Sequence, residues 1–201
     1  ASSILLSNRY KQKPAEKVLA EIDRIREIWP RPFIEFADDN TFANRNYWIA
    51  LLPELARRGV RWFAEADIRL ADDEELLSML RPSGCVEVLI GLESPVRSDL
   101  EGMELNRNFK GSYQTSAEEA VAKIQSRGVM VNGCFVVGLD SHGPGVFEAI
   151  YDFVDRTNLF DVQTTILTPF PGTPLYTRLK REGRLLQDEA WEKCTLYDIN
   201  F

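Results

Sequence analysis

Apolar residues fall along the chain in two alternating patterns. Short β-branched and aromatic runs near positions 33, 60, 86, 129 and 162 read as strands: Phe33 to Phe36, Val60 to Ala66, Val86 to Ser94, Val129 to Val137 and Val162 to Leu167. Between them, apolar residues recur at the spacing of one helical face. The first such set is Val18, Ile22, Ile25 and Trp29, after Pro14; the second is Trp48, Leu51, Leu52 and Leu55, and the third is Leu76, Leu77 and Leu80. Ala120, Val121 and Ile124 follow, and then Val146, Phe147, Ile150, Tyr151 and Val154.

The punctuation agrees with the periods. Asn44, Asp72 or Asp73, and the Ser116-Ala117-Glu118-Glu119 capping box open helices, while Gly59, Gly84 and Gly128 close them. Thr173 followed by Pro174 predicts one more helix start. Strands that alternate with helices wind, by right-handed crossovers, into a barrel or an open α/β sheet. The expectation is an α/β chain of about five βα units with a leading helix, one domain over 1–201, and a charged, aromatic extension from 184 to 201. The helix at 15–29 has no strand before it, so the strand at Phe33 becomes an unpaired apolar edge.

The run Val86-Glu87-Val88-Leu89-Ile90-Gly91-Leu92-Glu93-Ser94 is the richest in aliphatic residues and reads as a parallel strand buried on both faces. Its end should lie at the carboxyl edge of the sheet, where ligands of such folds gather. Glu93 and Ser94 are therefore site candidates, as are Asp38, Asp39 and Asn40 after the first strand. Gly133, inside a strand, predicts close approach of a backbone or a ligand. The polar connection from Ser94 to Thr115, with Arg97, Asp99, Asn106, Arg107, Asn108 and Lys110, is long enough to bind or cover something.

Composition narrows the chemistry. The 201 residues are 44% hydrophobic and 27% charged, ordinary for a globular chain, and the net charge of -7 opposes a nonspecific grip on nucleic-acid phosphates. No apolar run approaches the roughly 20 residues of a membrane span, and no secretory leader is visible, so the expected compartment is the cytoplasm. Cys85, Cys134 and Cys194 lie too far apart for a disulfide framework or a zinc site, so no metal site is expected from them. Cys85 and Cys134 read as buried thiols. The single histidine, His142, lies in a Gly- and Pro-containing loop and reads as solvated. No GxGxxG follows any strand, which opposes a dinucleotide-binding fold.

Taken in order, the strand ends FADDNTF, LIGLES, GCFVVGLD and TPFPGTPLY resemble those of the radical S-adenosylmethionine (SAM) superfamily, in particular its cobalamin-dependent branch. The resemblance runs from about Arg9 to the end of the chain. It implies a partial (β/α) barrel that binds SAM beside a [4Fe-4S] cluster. The family's cluster ligands are a CxxxCxxC loop after the first strand, and this chain has none. Ser2 to Lys13 resembles the segment that follows the third cysteine. The expectation is thus an incomplete core, partnered by an upstream cluster-binding segment and a cobalamin-binding domain.

By the same resemblance, Asp38, Asp39 and Asn40 face the methionine moiety of SAM, and Glu93 and Ser94 face its ribose. Val136, Val137 and Gly138 face adenine, and Thr168, Pro169 and Phe170 line the adenine or substrate side. The implied reaction is cleavage of SAM to a 5'-deoxyadenosyl radical, followed by methyl transfer through cobalamin or a related functionalisation of a small-molecule substrate. No Lys, Cys or His is placed by sequence as an acid or base, so the catalytic residues stay unknown. Two alternatives stand beside this: a cluster-less relative that binds a nucleoside-like ligand or a partner protein, and an ordinary (β/α) barrel acting on a phosphorylated sugar.

Overall fold

A computed structural model describes residues 11–100 and 116–201. Asn106, Arg107, Asn108, Lys110 and the segment Ser2 to Tyr10 lie outside the described residues. Among the described residues, five parallel strands form one sheet in sequence order, curved into a half-barrel: β1 (Phe33–Phe36), β2 (Arg61–Ala66), β3 (Cys85–Glu93), β4 (Met130–Val137) and β5 (Asp161–Ile166). The helices are α1 (Ala15–Ile28), α2 (Arg45–Arg58), α3 (Glu74–Leu80), α4 (Ala117–Ser126), α5 (Val146–Thr157) and α6 (Pro174–Arg181). Because every neighbouring pair of strands is parallel, all five carboxyl ends share one edge.

The helix starts form as the local chemistry dictates. Asn44 accepts from the Tyr47 N–H and Asp73 from that of Leu76, while Ser116 and Glu119 close a full capping box. Gly59 ends α2 at φ 61°. Gly84 turns the chain into β3 at φ 96°, and a Cβ there would stand 1.9 Å from the Val60 carbonyl oxygen, so only glycine fits.

The packed face of the sheet is aromatic at its β1 side. Trp62 and Trp48 are 0% and 2% exposed, and the Trp62 indole lies 5.5 Å from Phe36 and 5.8 Å from Trp48. Its Nε1–H donates to the Ser83 carbonyl at 3.0 Å, which satisfies the one polar atom of the ring. Phe42 closes the group 5.2 Å from Trp48, and Phe42 belongs to the short 3-10 turn that follows Asn40.

Three readings of the pattern need correction. First, β3 is not buried on both faces: Val86, Val88, Ile90 and Leu92 are buried, while Glu87, Leu89, Gly91 and Glu93 are half-buried. A half-barrel packs its outer face on helices and leaves its inner face open. Glu87 therefore faces the interior rather than the helices. Second, α5 turns Val146, Ile150 and Phe153 inward and leaves Phe147 and Tyr151 outside. In α1 only Ile22 is fully buried, and Trp29 lies beyond the helix end and is exposed. Third, Gly133 meets side chains rather than a ligand, since a Cβ there would be 2.6 Å from Leu159 Cδ1 and 3.1 Å from Leu92 Cδ1.

Among the described residues β1 pairs only with β2, as expected of an edge. At the other edge, the stretch 184–201 lies along β5. The Leu196 carbonyl accepts from the Ile166 N–H at 2.7 Å, and buried Asn200 bonds the backbone of Gln187 through both ends of its amide, each at 3.0 Å. The first bond ties the extension to β5, and the other two close the extension on itself.

Candidate functional site

The strand-end loops supply the site. After β1, Asp38 and Asp39 are exposed and Asn40 is half-buried. Their loop is anchored from below: buried Thr41 donates to the Asp38 carbonyl at 3.4 Å, and the Ala43 N–H donates to the Asn40 carbonyl at 3.2 Å. After β2, Asp67 accepts from the Arg69 backbone N–H at 2.9 Å and from Arg69 Nε at 3.2 Å, a cap that sequence reasoning passed over.

One residue before the end of β2, on its open face, the Glu65 carboxyl is held above the usual carboxylate range, first by burial and then by the charges of Asp39 and Glu35. Glu87 is likewise raised by burial, opposed by a hydrogen bond from Asn132. A carboxyl raised in the folded state holds its proton more tightly folded than unfolded, so its ionisation weakens folding as pH rises past the unfolded value. Glu65→Gln is expected to stabilise the fold at pH 7, with the gain vanishing at acid pH. Denaturant titrations at both ends of that range test it, and a loss of stability at pH 7 would contradict it.

The end of β3 is the most constrained. A bulge between Gly91 and Glu93 shifts the pairing with β4, and Glu93 sits at φ 65°, in the left-handed region that residues other than glycine seldom adopt. The Ser94 N–H reaches back to the Leu92 carbonyl at 2.9 Å, closing a tight turn with Glu93 at its centre. Such strain costs about 1 to 3 kcal/mol and persists only where the surroundings hold it. Ser94 itself is 5% exposed; its hydroxyl donates to Asp99 Oδ2 at 2.6 Å and accepts from the Val96 N–H at 3.1 Å.

The same Asp99 oxygen lies 3.3 Å from His142 Nε2, and these side chains are 9% and 4% exposed. The solvated-loop reading of His142 is therefore overturned. A Gly- and Pro-containing loop has no hydrophobic period to announce burial, and the ring is covered only once the exits of β3 and β4 come together.

After β4, Val136 and Val137 are half-buried and Gly138, at φ 96°, is exposed. The ring of Phe201 lies over that glycine, 3.6 Å from where a Cβ would stand. Asp140 is held well below the usual carboxylate range by hydrogen bonds from Arg178, at 2.7 Å, and Arg184, at 2.8 Å. After β5, Thr168 is buried and donates to the Ile166 carbonyl at 2.9 Å, beside buried Pro169. Thr173 then caps α6 by accepting from the Tyr176 N–H.

The cysteines do not gather. Burial pushes the Cys85 thiol up to about 12, as its buried reading expects, but Cys134 is only half-buried because it lies on the open face of β4, and Cys194 sits in the 184–201 extension. Among the described residues no group of three or more His, Cys, Asp or Glu could hold a metal ion. A thiol so far from ionising is a poor nucleophile. Cys85 is therefore expected to resist iodoacetamide at pH 8 in the native protein and to react once the protein is denatured; mass spectrometry reads the difference, and rapid native labelling would contradict it.

Comparison with known proteins places this geometry. No family model matches the chain. The chain is 31% identical over 186 residues to the hopanoid C-2 methylase of Rhodopseudomonas palustris, covering 90% of this chain and 34% of the relative. It is 30% identical over 166 residues to the bacteriochlorophyllide d C-12(1)-methyltransferase of Chlorobaculum tepidum, covering 83% of this chain and 35% of the relative. Among solved structures it superposes, at a TM-score of 0.74 and 19% identity, on the radical SAM methyltransferase TsrM of Kitasatospora setae with tryptophan substrate and a SAM analogue bound, covering 90% of this chain and 35% of that one. The chain is similar in sequence to these two methyltransferases and shares the half-barrel fold of the radical SAM enzyme TsrM.

TsrM has also been seen with cobalamin and a [4Fe-4S] cluster bound. The chain spans about a third of the length of the curated relatives it matches. Among its described residues no helix is long and apolar enough to cross a membrane.

Proposed function

We propose that this chain supplies the SAM-binding wall of a cobalamin-dependent radical SAM enzyme that methylates, or otherwise functionalises, a carbon of a small-molecule substrate. The observation that carries the reading is the Glu93 turn. A carboxylate is held in a strained conformation at the carboxyl edge of a radical SAM half-barrel, in a chain 31% identical to a methylase. A carboxylate accepts well from both hydroxyls of a ribose.

The remaining strand ends divide the rest of SAM. Asp38, Asp39 and Asn40 offer acceptors to its ammonium group. Exposed Gly138, with Val136 and Val137 beside it, takes the adenine, and the Phe201 ring against this glycine supports the idea that a flat ring fits there. Thr168 and Pro169 border the substrate side. Ser94 spends its hydroxyl on Asp99 and Val96, so its part is to hold Glu93 rather than to touch ribose.

The described residues do not fit a [4Fe-4S] cluster, which on this reading is held by a separate upstream segment, with cobalamin on a domain of its own. Held there, such a cluster would supply the electron for reductive cleavage of SAM. The residues described here bind SAM, orient its nucleoside and exclude water from it. The reading is tested with the intact protein, purified without oxygen and given SAM and dithionite. It predicts 5'-deoxyadenosine and methionine in the product mixture by mass spectrometry; intact SAM after prolonged reduction, in a protein with its cluster in place, would overturn it.

A further inference from the structure

We infer that Asp99 and His142 are positioning residues, which clamp the exits of β3 and β4 together and so hold the Glu93 carboxylate in its left-handed turn. The inference rests on the reading of Glu93 as the ribose partner of SAM. It gives roles to Asp99, which the sequence marks only as part of the long polar connection after β3, and to His142, which the sequence reads as solvated.

The chain of contacts starts at a strained backbone. A carboxylate at φ 65° relaxes toward ordinary extended geometry unless something prevents it. The residue that closes its turn, Ser94, is buried, and its hydroxyl is fully committed to the Val96 N–H and to Asp99 Oδ2. Asp99 in turn sits in the 3-10 turn Arg97–Leu100, with its own N–H on the Val96 carbonyl at 3.0 Å. These bonds make one small unit of residues 92–99.

That unit is fastened to the next loop by His142. Its Nε2 stands 3.3 Å from the Asp99 oxygen that receives Ser94, and its backbone N–H closes a turn on the Leu139 carbonyl at 2.9 Å. Neither ring nitrogen makes a hydrogen bond among the described residues, so the contact acts through the packing of two buried side chains. Because His142 lies four residues beyond Gly138 in the sequence, the contact also fixes the ribose side of the proposed site relative to the adenine side.

The test is a cycle of SAM titrations on the intact, cluster-loaded protein: wild type, Glu93→Gln, His142→Gln and the double variant. Glutamine at 142 keeps much of the size and loses the ring that meets Asp99. His142→Gln is expected to weaken SAM binding by about tenfold in the wild-type background and by less than about twofold when Glu93 is already glutamine, because its effect passes through that carboxylate. An equal loss in both backgrounds would make the pair a general stabiliser and overturn the inference. No loss from His142→Gln, beside a clear loss from Glu93→Gln, would overturn it while leaving the reading of Glu93 in place. No loss from Glu93→Gln would overturn both. Asp99→Asn serves as the second variant should His142→Gln fail to fold; if neither folds, the pair is a fold-holding contact and the positioning role is rejected.

Discussion

Trp62→Ala should cost the fold about 3 to 5 kcal/mol, the range for removing a fully buried large aromatic side chain. The side chain is wholly buried at the centre of the group formed with Phe36, Phe42 and Trp48. Its loss opens a cavity that these rings can fill only in part. It also strands the carbonyl of Ser83, a residue 2% exposed whose oxygen receives the indole N–H. Phe42 belongs to the turn that follows Asn40, so the loop of Asp38 and Asp39 should loosen too. Equilibrium denaturation of the intact protein measures the loss. A cost below about 1 kcal/mol would mean that this aromatic group is not what holds β1 and α2 to the sheet.

Glu93→Gln should weaken SAM binding by about one to two powers of ten, with the fold retained. Glutamine keeps the length and one acceptor but gives up the charge, which strengthens hydrogen bonds from a diol by roughly 1 to 3 kcal/mol. The left-handed backbone at this position is no harder for glutamine than for glutamate, so the change isolates charge from conformation. Glu87 is unsuitable as the neutral control because it lies on the open face of β3, paired with Asn132. Exposed Glu16, in the first turn of α1, serves instead, and Glu16→Gln should leave binding unchanged. Calorimetric titration reads both. Unchanged affinity in Glu93→Gln would move Glu93 to a purely structural role.

Much of the architecture is legible in the sequence because it is set locally. Asn44, Asp73, the Ser116–Glu119 box and Thr173–Pro174 each satisfy backbone groups within one helical turn, and the chain announces them by residue type. Features that depend on curvature and packing are not announced. The half-open inner face of β3 follows from how far the sheet closes. On α5 the sequence offers Val146, Phe147, Ile150, Tyr151 and Val154 as one face, and only the packing against the sheet turns Val146, Ile150 and Phe153 inward instead.

The site divides in the same way. Glu93, Ser94, Asp38 and Gly138 can be placed at one edge from strand order alone. That Glu93 is strained, that Ser94 is buried, and that Asp99 and His142 meet across two loops are consequences of long-range contacts. The burial of His142 leaves no trace in the sequence, since its neighbours there are those of a solvated turn. The extension at 184–201 was equally opaque, because Asn200 bonds Gln187 thirteen positions away and Leu196 bonds a strand.

The most direct test of the account is a structure of the intact protein with SAM bound. The account predicts the ribose hydroxyls within hydrogen-bond reach of the Glu93 carboxylate, about 2.6 to 3.2 Å, and the adenine against Gly138, with Phe201 displaced or stacked on it. SAM bound with its ribose away from the end of β3, while Glu93 keeps its left-handed turn, would contradict it.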